Sequence, residues 1–325
     1  GEYALKQMRR YYPALAAVAF LLSGCGQKDA VYDYGPEKMT AMIEQIPDER
    51  LQAPSFASAL CVIMGDEPEP DSTVTAKAAG VFSLKDGEVL IQKNPYERMN
   101  PASITKIMTA LIAVRDGDLE ESVTVGQETV ITEPGASLCH IAPGDTLTME
   151  QLLYGLMLPS GNDAGAAIAV HMAGSIEAFA EEMNKTAHQL GAVDTHFTNP
   201  HGLTDENHYT TAYDLYLIFQ EAMKYPEFQK IVGTVSYTAT YTDGSGAVKM
   251  QKWENSNRYL SGNVAAPDGV TVLGGKTGTT QAAGSCLILG CQDDSESQYV
   301  AVILKAENRG TLYENMTNII QKIVN

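Results

Sequence analysis

Ser103-Ile104-Thr105-Lys106 puts a hydroxyl and a primary amine three residues apart, and at helical spacing such a pair projects from one face within mutual reach. A serine attacks a carbonyl at neutral pH only when a neighbour takes its proton, and a lysine serves once desolvation or a second cation keeps its amine neutral. Ser103 therefore reads as a nucleophile and Lys106 as its base. The spacing alone is a weak signal, although no other serine in the chain has a lysine three residues on. A second set is Ser160-Gly161-Asn162, which sits between two helical patterns where Pro159 and Gly161 expose side chains. The tripeptide recurs as Ser261-Gly262-Asn263, in a Pro/Gly loop only 15 residues before Lys276, and there it reads as turn chemistry. Ser160 and Asn162, 57 residues after Ser103 and inside the helical block, form the functional pair. The third set is Lys276-Thr277-Gly278-Thr279 behind Gly274-Gly275, with the character of an edge strand. Its glycines let a substrate backbone approach closely, and Lys276, Thr277 and Thr279 offer a cation and hydroxyls to a carboxylate.

These side chains need a scaffold, and the apolar pattern supplies one. Ala76 to Leu84 and Val89 to Gln92, joined by Lys85-Asp86-Gly87-Glu88, read as a β-hairpin with an Asp-Gly turn. Asn100-Pro101 begins a helix running to about Arg115, with Asn as cap and Pro at the first helical position. Further helices are expected over Thr148 to Leu158, Asp163 to Ala173, Ile176 to Leu190 and Ala212 to Lys224. After Pro226 the runs turn β-like: Val235 to Tyr241, Ala247 to Lys252, Ser285 to Gly290 and Tyr299 to Leu304, closed by a helix from Leu312 to Val324. Strands at both ends with helices between predict one α+β unit, its antiparallel sheet completed by distant parts of the chain and flanked by helices.

The chain of 325 residues is 44% apolar, enough for a large core, and carries 22 Lys and Arg against 40 Asp and Glu. A net charge of −18 makes a duplex nucleic acid a poor partner, since a phosphate backbone would be repelled, and none is expected. Arg9 and Arg10 precede an apolar run from Ala14 to Leu22, too short to cross a bilayer but of signal-peptide length. The run ends in Leu22-Ser23-Gly24-Cys25, which resembles the lipobox of bacterial lipoproteins. Residues 1–24 are thus expected to be cut off, with Met8 as the start and Cys25 carrying a lipid. Residues 25–72, rich in Asp, Glu and Pro, read as an acidic tether, with a short helix around Glu37 to Ile46 and a strand around Ala57 to Met64. The catalytic domain would then occupy residues 73–325. Cys61, Cys139, Cys286 and Cys291 contain no C-x-x-C and read as buried free thiols; Cys286 and Cys291, five apart in one strand, point to opposite faces.

Together, Pro101-Ala102-Ser103-Ile104-Thr105-Lys106, Leu158-Pro159-Ser160-Gly161-Asn162-Asp163, His196-Phe197-Thr198-Asn199-Pro200-His201-Gly202-Leu203 and Gly275-Lys276-Thr277-Gly278-Thr279-Thr280 resemble the serine-type D-alanyl-D-alanine carboxypeptidases, the low-molecular-mass penicillin-binding proteins. Four blocks agree in order and spacing over residues 75 to 325. The resemblance implies an antiparallel sheet flanked by helices with an inserted helical lobe. It also implies removal of the terminal D-alanine from peptidoglycan stem peptides through an acyl-enzyme, no cofactor, and β-lactams as covalent inhibitors. Ser103, Lys106, Ser160, Asn162 and Lys276 would be catalytic, and Thr277, Gly278 and Thr279 substrate-binding. Arg309 is assigned to the family arginine that holds the substrate carboxylate, and Thr279 stands where many members have His. Many members also have a β-rich second domain and an amphipathic C-terminal anchor; here the lipid on Cys25 is expected to anchor the protein on the outer face of the bacterial cytoplasmic membrane.

Three rivals are weighed against this reading. A β-lactamase of one large class needs a glutamate for deacylation, and Thr195 to Asn207 lacks a Glu-x-x-x-Asn. A zinc peptidase would draw on His196, His201, His208, Asp205 and Glu206, but no H-E-x-x-H is present and no metal is expected. An idle β-lactam or peptidoglycan sensor or scaffold need not retain every catalytic side chain, yet all are intact.

Overall fold

The structure is a computed structural model that describes residues 60–63 and 72–324. The expected signal segment, Cys25 and the helix expected near Glu37 to Ile46 lie outside the described residues.

Five strands form an antiparallel sheet in the order β2-β1-β9-β8-β7: β1 is Ala78–Ser83, β2 Val89–Lys93, β7 Val270–Thr280, β8 Gly284–Asp293 and β9 Gln298–Ala306. The N-terminal hairpin is thus completed by the last three strands, as the strand distribution implies. Both faces of this sheet are covered, so β8 and β9 read as continuous apolar runs. Cys286, Ile288, Val300, Val302 and Leu304 face the main helical core, while Leu287, Leu289, Cys291, Ala301 and Ile303 pack against α7, Arg309–Ile320. Cys286 and Cys291 lie in different cores, and all four described cysteines are buried free thiols.

The helical lobe begins with α1, Lys106–Asp116, entered through a 3₁₀ turn over Ala102–Thr105. Then come α2 Met149–Met157, α3 Asn162–Ala173, α4 Ile176–Gln189 and α5 Ala212–Ala222. Their starts follow from capping: Thr148 and Gln151 exchange side-chain to backbone hydrogen bonds ahead of α2, and Ser175 and Thr211 cap α4 and α5. The lobe packs on the sheet through Phe82, whose ring stacks on Tyr216 of α5 with centroids 4.5 Å apart.

Four features depart from the sequence reading. The α1 entry is not a simple Asn-capped helix, because Ala102 has φ +48° and the α-helix starts only at Lys106. Pro226–Gly233 forms a further helix, α6, with Pro at its first turn and Phe228, Ile231 and Val232 buried at helical spacing. β5, Ser236–Thr242, and β6, Val248–Glu254, belong to a second sheet of order β3-β4-β5-β6, which they share with the three-residue strands β3, Ser122–Thr124, and β4, Thr146–Thr148. Residues 60–63 are not a strand; the Cys61 N–H donates to the Tyr216 hydroxyl at 3.0 Å, and the Tyr213 hydroxyl donates to the Cys61 carbonyl at 2.7 Å.

Candidate active site

Ser103 sits in the 3₁₀ turn and Lys106 opens α1, so the three-residue spacing places Lys106 Nζ 3.1 Å from Ser103 Oγ. The turn is fixed on its near side by the Ala102 N–H, which donates to the Asn100 side chain at 2.9 Å. Lys106 is fully buried, and its amine also donates to Asn162 Oδ1 and to the His201 carbonyl, both at 2.6 Å. Burial pushes this amine well below the ordinary lysine range, and the cation of Lys276 pushes it further down, with Asp163 acting the other way. Burial and the Lys276 cation both favour loss of the amine's proton, after which it has a lone pair to offer the Ser103 hydroxyl.

Ser160 and Asn162 arrive from the α2–α3 junction. Ser160 is buried with φ +68°, and its Oγ has no hydrogen-bond partner among the described residues. A buried hydroxyl left unpaired costs about 1–3 kcal/mol, so its retention marks a group meant for something that binds. Asp163, the next residue, was not singled out from sequence. It accepts the N–H groups of Cys139, His140 and Ile141 at 2.9, 2.8 and 3.2 Å, while the Asn162 N–H donates to the Ser137 carbonyl at 2.8 Å. These bonds sew the 137–141 loop to the first turn of α3, where an acid is also favoured by the helix dipole.

The third wall is β7, an edge strand as expected. Lys276 is buried, donates to the Thr277 carbonyl at 3.0 Å, and is pushed down by burial to about 7. Thr277 Oγ1 lies 2.6 Å from Ser256 Oγ. Gly278 is required by close approach: a Cβ there would stand 3.0 Å from both the Pro101 carbonyl oxygen and the Ser103 nitrogen. The strand therefore runs against the nucleophile's own backbone, which brings Thr279 beside Ser103 at the cleft.

The 196–210 loop closes the site from below. Gly202 has φ +85°, and a Cβ there would fall 1.8 Å from the Ala102 carbonyl oxygen, so no other residue fits without moving the nucleophile turn. The His208 ring accepts the Thr198 N–H at Nδ1, 3.1 Å, which leaves Nε2–H to donate to Thr105 Oγ1 at 2.8 Å. Burial lowers His208 to about 4 and His201 to about 3, and His196 Nδ1–H donates to the Asn207 carbonyl at 2.6 Å. These histidines hold the loop against α1. Among the described residues no group of His, Cys, Asp and Glu has a metal-binding arrangement.

The cleft left between these elements has a volume of about 420 Å³, with Ser103, Asn162, Ser137 and Thr279 in its lining. The structure brings together Ser103, Lys106 and Asn162 by direct hydrogen bonds and sets Gly278 against the nucleophile turn. Arg309 is exposed at the first position of α7 and is not part of the cleft lining. An accessible serine, a buried proton acceptor, an unpaired hydroxyl and a buried cation together constitute equipment for nucleophilic acyl transfer.

Comparison with known proteins gives the same answer. The profile of the Peptidase S11 family, D-alanyl-D-alanine carboxypeptidase, fits residues 64–308. The chain is 38% identical over 216 residues to D-alanyl-D-alanine carboxypeptidase DacF of Bacillus subtilis, covering 65% of this chain and 53% of that protein. It is 34% identical over 229 residues to a D-alanyl-D-alanine carboxypeptidase of Streptomyces sp. strain K15, covering 66% and 76%. The crystal structure of the Streptomyces K15 DD-transpeptidase superposes with a TM-score of 0.72 at 29% identity, covering 79% of this chain and 98% of that one. Of several curated relatives, the first among them, the chain spans only about half the length. With the profile spanning three quarters of its residues and the same motifs assembled around one cleft, the chain belongs to the S11 peptidases, the D-alanyl-D-alanine carboxypeptidase family.

Proposed function

We propose that this chain is a serine carboxypeptidase that releases the terminal D-alanine from peptidoglycan stem peptides ending in D-Ala-D-Ala, and that β-lactams acylate the same serine. The observation that carries the reading is the Lys106 amine, 3.1 Å from Ser103 Oγ, fully buried, and depressed first by that burial and then by the Lys276 cation. Ser103 Oγ attacks the carbonyl of the penultimate D-alanine while its proton passes to Lys106 Nζ. The N–H groups of Ser103 and Thr279 take the oxyanion. The C–N bond then breaks as the proton moves through the unpaired Ser160 hydroxyl to the leaving amine, giving D-alanine and an ester on Ser103. Water adds to that ester with Lys106 as base, restoring the serine. Lys276, Thr277 and Thr279 hold the terminal carboxylate, whereas Arg309, exposed and outside the cleft lining, is left without that role.

Release of D-alanine separates an enzyme from an idle sensor, because both would bind penicillin. A purified chain incubated with an N-acylated tripeptide ending in D-Ala-D-Ala is expected to liberate free D-alanine over many turnovers. Stoichiometric penicillin labelling without D-alanine release would establish a sensor instead, and rapid turnover of the penicillin itself would establish a β-lactamase.

The second half of the proposal is place: a lipid on Cys25, with residues 25–72 as tether, holds the domain on the outer face of the cytoplasmic membrane. No described helix is long and apolar enough to cross a membrane. Mass spectrometry of the mature protein is expected to find a diacylglyceryl group on an N-terminal Cys25. A mature terminus elsewhere overturns the assignment.

A further inference from the structure

The cleft beside Ser103 has a charge pattern that the acyl-transfer chemistry does not use. Glu133 is the one carboxylate in its lining, and the other titratable group there, His201, is held neutral by burial. The Glu133 side chain is exposed and has no hydrogen-bond or ion-pair partner among the described residues. Its backbone is not free to wander. The Ala136 N–H donates to the Glu133 carbonyl at 3.2 Å across a turn that has Gly135 at φ +79°. One residue later the Ser137 carbonyl accepts from Asn162, and Asp163 takes the backbone N–H groups of Cys139, His140 and Ile141. Glu133 thus rides on a short arm rooted in the catalytic turn of α3, no more than about 14 Å from Ser137 at full extension.

A substrate that places its terminal carboxylate at Lys276 and its scissile carbonyl at Ser103 sends its third residue from the C-terminus out along this cleft. We propose that Glu133 is a specificity-determining residue that pairs with a free side-chain amine on that third residue, so that the cleft selects stem peptides carrying a diamino acid with its amine unmodified. The inference rests on the carboxypeptidase reading and deepens it. A cation is met at one end of the peptide by a lone carboxylate, and an anion at the other end by a buried lysine. Neither end of such a peptide fits the cleft reversed, because like charges would face each other.

The test compares D-alanine release from two synthetic peptides, Nα-acetyl-L-Lys-D-Ala-D-Ala with its ε-amine free and the same peptide with the ε-amine acetylated. The wild-type kcat/KM is expected to favour the free amine about fivefold at low salt, the range of a partly solvated ion pair, and the preference shrinks as salt is added. Glu133→Gln brings the ratio to about one, and Glu133→Lys inverts it. Because the Glu133 side chain is exposed and makes no hydrogen bond or ion pair among the described residues, neither substitution is expected to shift the melting temperature. Equal wild-type kcat/KM on the two peptides, or a preference that survives in Glu133→Gln, overturns the assignment while leaving the carboxypeptidase reading in place. D-Alanine from neither peptide overturns both.

Discussion

Ser103→Ala is expected to abolish covalent labelling by a fluorescent penicillin, and Lys106→Arg to reduce acylation to a similar floor. The first follows because no other serine in the chain has a lysine three residues on, and the Ser160 hydroxyl is buried with no hydrogen-bond partner among the described residues. The second follows because a guanidinium stays protonated and cannot accept the serine proton, whatever its burial. Nucleophile and base act as a unit, so each loss is of the order of 10⁶ in turnover rather than a share of it. The two variants differ in what they do to the fold. Ser103 is only partly buried and its replacement removes a single hydroxyl, so Ser103→Ala should melt close to the parent. Lys106 satisfies Asn162 Oδ1 and the His201 carbonyl, so Lys106→Arg must be checked for an intact melting transition before its activity is read. A full-intensity label on a folded Ser103→Ala protein refutes the nucleophile assignment, and a normally acylating Lys106→Arg protein refutes the base.

The site was legible where chemistry demands a side chain and illegible where it demands a backbone shape. Ser103, Lys106, Ser160, Asn162 and Lys276 stand out because hydroxyls and amines at those spacings have few other uses. Gly202 and Ala102 do not stand out, although the contact between them sets the nucleophile turn: nothing in one sequence says that residue 202 must lie against a carbonyl a hundred residues earlier. Asp163 carried a readable signal, an acid in the first turn of a helix, but not the information that it would gather three loop donors. In the scaffold, long amphipathic helices and the Asp-Gly hairpin were readable from periodicity and turn residues. The three-residue strands β3 and β4 are shorter than any periodic signal, so the second sheet went unseen and β5 and β6 were credited to the first. Helix α6 was missed for a different reason. Pro226 reads equally as a stop and as a first helical position, and only the i, i+3, i+4 burial of Phe228, Ile231 and Val232 decides between them.

Lys276→Met should lower kcat/KM by about 10² on peptides with a free terminal carboxylate, and by much less on the same peptides amidated at that end, because a charge-assisted bond to a carboxylate is what the variant loses. Methionine keeps most of the volume of a fully buried side chain, so the loss is electrostatic and not a collapse of the strand. The pH profile supplies an independent reading. kcat/KM reports the free enzyme, in which Lys106 must be neutral and Lys276 charged. The wild-type profile on free-carboxylate peptides should therefore rise as Lys106 loses its proton and fall as Lys276 loses its own, near the value of about 7 to which burial has brought it. On amidated peptides the alkaline fall should be absent, since no carboxylate waits for the Lys276 cation. In Lys276→Met the fall should vanish for both substrates. The rising limb should at the same time move to higher pH, because removing the neighbouring cation lets Lys106 hold its proton longer. Equal losses on the two substrates, or a rising limb that stays where it was, would show that Lys276 neither reads the carboxylate nor tunes the base.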